Sequence, residues 1–317
     1  MSVVFSSLEE ATGRFGPCAL TIGNFDGVHI GHQQLVREAR EQAQTRGCRS
    51  AVLTFHPHPR SVVAPDRPTK LLASIDERVA LLEETGVDHI LVLPFTAELS
   101  NLGAEQFVRQ ILVEQLEARF VVVGDNFRFG HKQGGDTALL ASLAAKLGFG
   151  TRFVPQIRYR GEAVSSTLIR EHLQQGRVAR AGRLLGRCYS LSGPVVRGHG
   201  IGSKQTVPTL NLQPPDDVLP ANGVYVTEVH DLDDDRRWPS ITNIGTRPTF
   251  DGEDLTIESY LLSHLSGETP QTIRVDFRRW VRAEQKFPDV TALKYQILRD
   301  VERANTYWRR TAILASK

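Results

Sequence analysis

Thr21-Ile22-Gly23-Asn24-Phe25-Asp26-Gly27-Val28-His29-Ile30-Gly31-His32 decides how the first part of this chain folds. The apolar run Cys18 to Ile22 predicts a buried strand, and the amphipathic pattern that follows predicts a helix. Gly23 and Gly27 frame a tight turn between them. At a strand-to-helix junction, backbone N–H groups and the helix dipole favour an anion. His29 and His32 stand three apart, so both imidazoles reach one face of the first helical turn. The stretch predicts a phosphate-handling turn, with Gly23, Phe25, Asp26, Gly27, His29 and His32 as candidate binding residues. Zinc is the alternative, because His56 and His58 follow; no Cys sits at ligand spacing and no His-Glu-x-x-His helix is present.

Working outward, the spacing of Leu35, Val36, Ala39 and Ala43 predicts a helix from His32 to Gly47. Ala51 to Phe55 reads as a strand ended by the rigid loop His56-Pro57-His58-Pro59. Ser74 and Glu77 form a capping box for a helix to Thr85. A strand (His89 to Leu93), a helix (about Ala104 to Leu116) and a strand (Phe120 to Val123) follow. This βαβαβ order predicts a Rossmann-like parallel sheet covered by helices on both faces, with ligands beyond the carboxyl ends of its strands. The His29/His32 turn, the His58–Pro59 loop and Gly124-Asp125-Asn126-Phe127-Arg128-Phe129-Gly130 would then share one rim. In the last motif Phe127 and Phe129 suit either a planar ligand or the core, and Asn126, an amide at the end of a buried strand, needs partners. At Ser165-Ser166-Thr167-Leu168-Ile169-Arg170 a helix start with an arginine one turn along suits a second phosphate group, although capping alone also explains the hydroxyls.

Composition changes near Gly186, which predicts domains over 1–186 and 187–317. Short alternating runs at Tyr189–Leu191, Val224–Val229, Trp238–Thr242, Leu255–Leu262 and Ile273–Phe277 predict a small antiparallel barrel. An amphipathic helix from Ala292 to Ala304 closes the pattern. The chain of 317 residues has 40% hydrophobic and 23% charged residues and a net charge of +2, which gives no reason to invoke nucleic acid or a membrane as partner. Cys18, Cys48 and Cys188 form no CxxC and suit a reducing cytosol; no secretory signal or spanning apolar run is present, so a cytoplasmic location is expected. The oligomeric state is left open, a homo-oligomer included.

Gly-Asn-Phe-Asp-Gly-Val-His-x-Gly-His resembles the HxGH nucleotidyltransferase signature in the form carried by prokaryotic bifunctional riboflavin kinase/FAD synthetases, and the resemblance extends over nearly the whole chain. It implies ATP phosphates on His29, His32, Ser166, Thr167 and Arg170, and Asn126 near the nucleotide–FMN junction. His58, Pro59, Phe127 and Arg128 would meet the flavin. In the second half it implies a six-stranded riboflavin kinase barrel. Thr209 and Asn211 of Pro208-Thr209-Leu210-Asn211 would hold Mg-ATP, Glu258 would be the catalytic base, and Arg282 would contact flavin. Gly202 and Lys204 stand where the family approaches nucleotide phosphate. Ser203, Thr206, Val207 and Leu210 depart from the family's usual Arg, Gly, Phe and Ala, and Lys204 is not an equivalent fork for the missing Arg.

The chemistry is consistent with both halves. A phosphate monoester is largely ionised at neutral pH, its second pKa being roughly 6, so joining FMN to AMP needs positioning and charge stabilisation rather than a base. Phosphorylating a riboflavin hydroxyl needs a positioned carboxylate, which Glu258 supplies. The expectation is a bifunctional enzyme with ATP as co-substrate, magnesium as cofactor, and FMN and FAD as products. Two alternatives remain open: an HxGH cytidylyltransferase with a β regulatory domain, and an FAD synthetase whose barrel only senses flavin.

Overall fold

The computed structural model describes residues 2–67, 69–197, 209–249, 252–265 and 267–315. The chain divides into two compact units, Met1–Ser166 and Thr167–Lys317.

In chain order the first unit runs β1 (Val3–Phe5), α1 (Leu8–Ala11), β2 (Cys18–Ile22), α2 (Ile30–Arg46), β3 (Arg49–His56), α3 (Pro59–Val63) and α4 (Ile75–Glu83). It continues with β4 (His89–Pro94), α5 (Ala97–Asn101), α6 (Ala104–Gln106), a π-helical stretch Phe107–Gln115, β5 (Ala118–Gly124), α7 (Thr137–Leu147) and β6 (Gly150–Val154), then a ribbon of β7 (Arg158–Tyr159) and β8 (Glu162–Ala163). The six strands β1 to β6 form one sheet in the order β1-β4-β3-β2-β5-β6, with every pairing parallel. The expected parallel sheet is present, extended by β1, whose three residues are too few to show a period.

Both faces of this sheet are buried, which is why β2 reads as an unbroken apolar run. On one face Ala39 and Ala43 of α2 pack against Ala19, Phe120, Val122 and Val154. On the other, Phe107, Val108, Ile111 and Leu112 of the π-helical stretch and Leu140 and Leu143 of α7 pack against Leu20, Leu53, Val121 and Val123. The apolar spacing of 104–116 predicts an ordinary helix; the observed i→i+5 winding keeps the same residues inward, so periodicity cannot separate the two. The connections turn one way from β2 to β3 and β4, then cross to β5. This makes the carboxyl end of β2 the topological switch point, where such sheets bind ligands.

The second unit begins with α8 (Ser166–Gln174), shared across the division, and α9 (Val178–Leu185). Then come β9 (Tyr189–Val196), β10 (Thr209–Leu212), β11 (Gly223–Asp231), β12 (Arg237–Thr249), β13 (Gly252–Leu261), β14 (Thr272–Ala283) and α10 (Val290–Ala315). The strands close into a barrel in the order β10-β13-β12-β11-β14-β9, all antiparallel. The barrel is six-stranded as the family resemblance implies; its sixth strand is β10, four residues that start at Thr209 of the Pro-Thr-x-Asn motif. Inside it, Thr227 Oγ1 lies 2.8 Å from Ser240 Oγ and 2.6 Å from Thr242 Oγ1, which lies 2.8 Å from Ser259 Oγ. These four hydroxyl residues are fully buried, and each is paired within the ladder as a buried polar group must be. Outside it, α10 covers Val224, Val226 and Ile241 with Ala304, Val301 and Trp308.

Candidate active sites

The turn after β2 is held in a demanding backbone shape. Phe25 (φ 48°), Gly27 (φ 78°) and Val28 (φ 38°) all lie in the left-handed region, which costs a non-glycine residue roughly 1–3 kcal/mol. Burial holds it in place: Phe25 and Val28 pack with Val36, Val52, Leu82 and Ile90. Gly23 N–H donates to the Leu53 carbonyl at 3.1 Å. Buried Asp26 accepts the Leu72 N–H on Oδ1 at 2.8 Å, and its carbonyl accepts the Ser166 hydroxyl at 3.0 Å. Ser166 is thus brought onto the turn, 140 residues away in sequence.

The two histidines act as one group. His29 caps α2, its Nδ1 accepting the His32 N–H at 3.2 Å. The two rings stack with centroids 3.6 Å apart and 12° between planes. Gly31 makes room for this, since a Cβ there would stand 3.1 Å from His29 Nδ1 and Cε1. Burial, then the neighbouring His29, then the charge of Arg78 hold His32 well below the ordinary imidazole value, so it is neutral at pH 7.

The rim expected from the strand order forms in part. Thr54 Oγ1 donates to the Asn24 carbonyl at 3.1 Å, and His58 Nε2 lies 3.2 Å from the Asn24 amide nitrogen. His58 also caps α3, where Pro59 takes the first position. The loop after β5 leaves the sheet beside β2. Phe129 is buried, and Phe127, half-buried, stacks on it at 5.4 Å. Arg128 is exposed, its Nη1 on the Phe127 carbonyl at 3.1 Å. The reasoning that Asn126 must satisfy a buried amide is corrected here: Asn126 is exposed, because the chain turns out of the sheet at Gly124, where the Phe127 N–H bonds the Gly124 carbonyl. Thr167, exposed, and Arg170, half-buried, continue along α8 in the second unit.

Sequence reasoning passes over Arg78. It is fully buried on α4, and only its Nη1 has a hydrogen bond, to the Phe55 carbonyl at 3.1 Å. Nε and Nη2 have no partner among the described residues. The available signal is its place one turn before buried Leu82, on the inward stripe of α4.

In the barrel, Leu210, Leu212, Ile257, Ser259, Thr242 and Ile244 are buried, so the alternate residues face outward. Strand register aligns Asn211 with Glu258, Glu258 with Asn243, Asn243 with Val224 and Val224 with Arg282, a single row across five strands. Thr209 lies two residues from Asn211 on the same face, with Oγ1 buried and without a hydrogen-bond partner among the described residues. Thr209 and Asn211 also line a cavity of about 540 Å³ with Val195, Arg197 and Gln271. Arg282 is engaged elsewhere: its Nε donates to buried Asp300 on α10 at 2.8 Å. Gly202 and Lys204 lie outside the described residues. Asn243 stands in a motif to which spacing gives no role; the register makes it Glu258's neighbour. Elsewhere on the barrel Glu228, His230 and Asp276 cluster closely enough to offer metal ligands. There Arg278 Nη2 already sits 2.7 Å from Glu228 and Arg274 Nε 3.0 Å from Asp276, so the two carboxylates are neutralised within the protein.

Comparison with known proteins matches two family models to successive parts of the chain. The FAD synthetase family model matches residues 13–168, and the riboflavin kinase family model matches residues 185–308. The bifunctional riboflavin kinase/FMN adenylyltransferase of Escherichia coli K12 is 36% identical over 92% of this chain and 93% of its own length. The protein of that name from Haemophilus influenzae is 34% identical over 92% of this chain and 94% of its own. A crystal structure from Streptococcus pneumoniae, titled as a macrolide-efflux protein, superposes with a TM-score of 0.85 at 26% identity, covering 96% of this chain and 98% of that one. With both halves matched and curated relatives aligned over nearly their full length, the chain belongs to the bifunctional riboflavin kinase/FMN adenylyltransferase family.

Proposed function

We propose a residue-level account of the two reactions of this family. The chain phosphorylates riboflavin to FMN and adenylylates FMN to FAD, using ATP in each step. What carries the assignment is the contrast between the two sets of side chains: imidazoles, hydroxyls and a helix start at the first, a carboxylate beside Thr and Asn at the second.

In the adenylyltransferase half, assigned to 1–186, the ATP phosphates lie over the turn Gly23, Phe25, Asp26 and Gly27. His29, His32, Ser166, Thr167 and Arg170 neutralise charge as pyrophosphate leaves. The FMN phosphate is itself the nucleophile, so no base is required. His58, Pro59, Phe127 and Arg128 receive the flavin and Asn126 its junction with the nucleotide; the exposure of Asn126 and Arg128 leaves them available to a ligand. In the kinase half, assigned to 187–317, Glu258 takes the proton from the riboflavin hydroxyl as it attacks the γ-phosphoryl group. Arg282 supports the flavin side through its tie to α10. Gly202 and Lys204 approach the nucleotide phosphates.

Magnesium supplies charge neutralisation on the phosphates when bound. Thr209 and Asn211 would hold it, and the unpartnered buried Thr209 Oγ1 fits a hard cation that takes oxygen ligands. The location is proposed as cytoplasmic, with neither nucleic acid nor membrane as partner. Free Cys18, Cys48 and Cys188 suit that compartment, and no helix among the described residues is long and apolar enough to cross a membrane. The assignment holds for a monomer and for a homo-oligomer alike.

Incubation with riboflavin, ATP and Mg²⁺, followed by separation of flavins, should yield FMN first and FAD later, and chelation should stop both. Appearance of neither product in the presence of Mg²⁺ refutes the reading. Gly31→Ala separates stability from activity at the first site. Alanine favours the helix by up to ~1 kcal/mol, against roughly 0.5–2 kcal/mol held in the His29 cap that its Cβ crowds, so melting should stay near wild type or fall slightly. The displaced His29 ring should nevertheless lower FAD formation by roughly 10²-fold, with FMN formation unchanged.

A further inference from the structure

Asn24 and His58 meet through their side chains, and the bonding of one decides how the other is turned. Asn24 Nδ2 and His58 Nε2 are 3.2 Å apart. The other ring nitrogen, His58 Nδ1, accepts the Arg60 N–H at 3.1 Å as the cap of α3. A backbone N–H can only donate, so Nδ1 carries a lone pair, and a neutral imidazole then has its proton on Nε2. That proton points at the Asn24 NH2, a second donor with no lone pair to offer. The conflict disappears when the amide is rotated half a turn, which brings Oδ1 to face the ring. Amide oxygen and nitrogen have the same shape, and the hydrogen-bond network decides between them.

Both partners are held in place. The Ser61 N–H and hydroxyl donate to the His58 carbonyl at 2.8 and 2.7 Å, and Thr54 Oγ1 donates to the Asn24 carbonyl at 3.1 Å. Pro57 and Pro59 on either side of His58 remove backbone freedom. With Nδ1 on Arg60 and Nε2 on Asn24, the His58 ring has no nitrogen left for a substrate and offers only its face and edge. The hydrogen-bonding capacity of this part of the rim passes to Asn24. Its NH2, turned away from His58, meets no protein acceptor among the described residues and is not enclosed. Asn24 is half-buried and stands two residues beyond β2, at the switch point where such a sheet takes its ligands.

We propose that Asn24 is a ligand-binding residue of the adenylyl-transfer site: its Oδ1 accepts from His58 Nε2–H, and its NH2 donates to a phosphate oxygen of the bound substrate. The NH2 supplies uncharged N–H donors at the start of the turn whose later members, His29 and His32, are assigned to phosphate. That phosphate belongs to ATP or to FMN, which offer the same acceptor chemistry. The binding role rests on the assignment of the turn to adenylyl transfer; the orientation of the amide and the His58 tautomer do not. No covalent bond is made or broken in this role.

The test is ¹⁵N NMR on the full chain at neutral pH. The His58 ring signals are assigned by their loss in His58→Ala, and the Asn24 side-chain amide by its loss in Asn24→Ala. Wild type should show His58 with its proton on Nε2. A proton on Nδ1, or on both nitrogens, overturns the proposal with no variant needed. Mg-ATP alone and FMN alone are then added, so that neither can be consumed in adenylyl transfer. The Asn24 NH2 signals should shift with at least one of them, and the arm that moves them identifies the phosphate. Signals unmoved by both at saturation overturn the binding role. In kinetics, Asn24→Ala should lower FAD formation from FMN about 10–100-fold, the order of one hydrogen bond to a charged group, with FMN formation unchanged. Asn24→Asp keeps an oxygen for His58 and lacks the donors. It should retain the Nε2–H tautomer while FAD formation falls at least as far as in the Ala variant; wild-type FAD formation in the Asp variant overturns the donor role. Failure of the wild-type protein to form FAD from FMN counts instead against the reading of the first site, and the His58 tautomer in the free protein is decided independently of it.

Discussion

Glu258→Ala is expected to lower FMN formation by about 10²–10⁴-fold, the contribution of a positioned general base, while FAD formation from supplied FMN continues at the wild-type rate. The residue sits opposite Asn211 on one neighbour and Asn243 on the other, on the outward face of the barrel. Its loss therefore opens no cavity in the interior, where Ser259 and Ile257 flank it in sequence and face inward. Melting should stay near wild type, which makes a large kinetic loss attributable to proton transfer. Separate assays for FMN from riboflavin and FAD from FMN decide the matter. An FMN rate within a few-fold of wild type would remove Glu258 as base, and if no wild-type FMN forms either, the barrel binds flavin without phosphorylating it.

The reciprocal result is expected at the first turn. His32→Ala should reduce FAD formation by at least about 10²–10³-fold, as for removal of one preorganised donor from a charge-stabilising site, and spare FMN formation. His29→Ala carries a second cost, because His29 caps α2 through the His32 N–H; losing a cap costs roughly 0.5–2 kcal/mol. His29→Asn retains capping ability without the imidazole. It should recover the melting temperature and leave FAD formation low. Recovery of both would make His29 a structural cap alone, and a joint loss of FMN and FAD in a folded variant would contradict the separation of the two sites.

How much of this was legible in the residues varies with burial and length. The turn at Gly23–His32 was, since glycines, aromatic and histidines all serve one backbone shape and one ring stack. The parallel sheet was too, because β2 and β5 are buried on both faces and read as apolar runs. The three residues of β1 and the four of β10 are shorter than any period can register. Asn126 follows a buried strand in the sequence, which suggests a buried amide, whereas the backbone turn at Gly124 delivers it to solvent. Arg78 is hard to place from sequence because a charged residue in a capped helix reads as solvent-facing until its one-turn spacing from Leu82 is weighed. The row Asn211–Glu258–Asn243 is a property of register between distant strands, and register is not written in any one of them.

That row depends on something placed on the opposite side of the same strands. A slip of one residue between β12 and β13 would turn Glu258 into the barrel and Ser259 out of it. Aliphatic side chains slide past one another with little preference, whereas the hydroxyls of Thr227, Ser240, Thr242 and Ser259 match only in the observed alignment. The ladder thus works as an alignment key: its value to the protein lies less in energy than in information, since it tells the strands which residues to set side by side. Selection on such a core would act through catalysis carried out on the outer surface, and an interior with more apolar contact and no hydroxyls would hold the barrel together while losing track of where the base belongs.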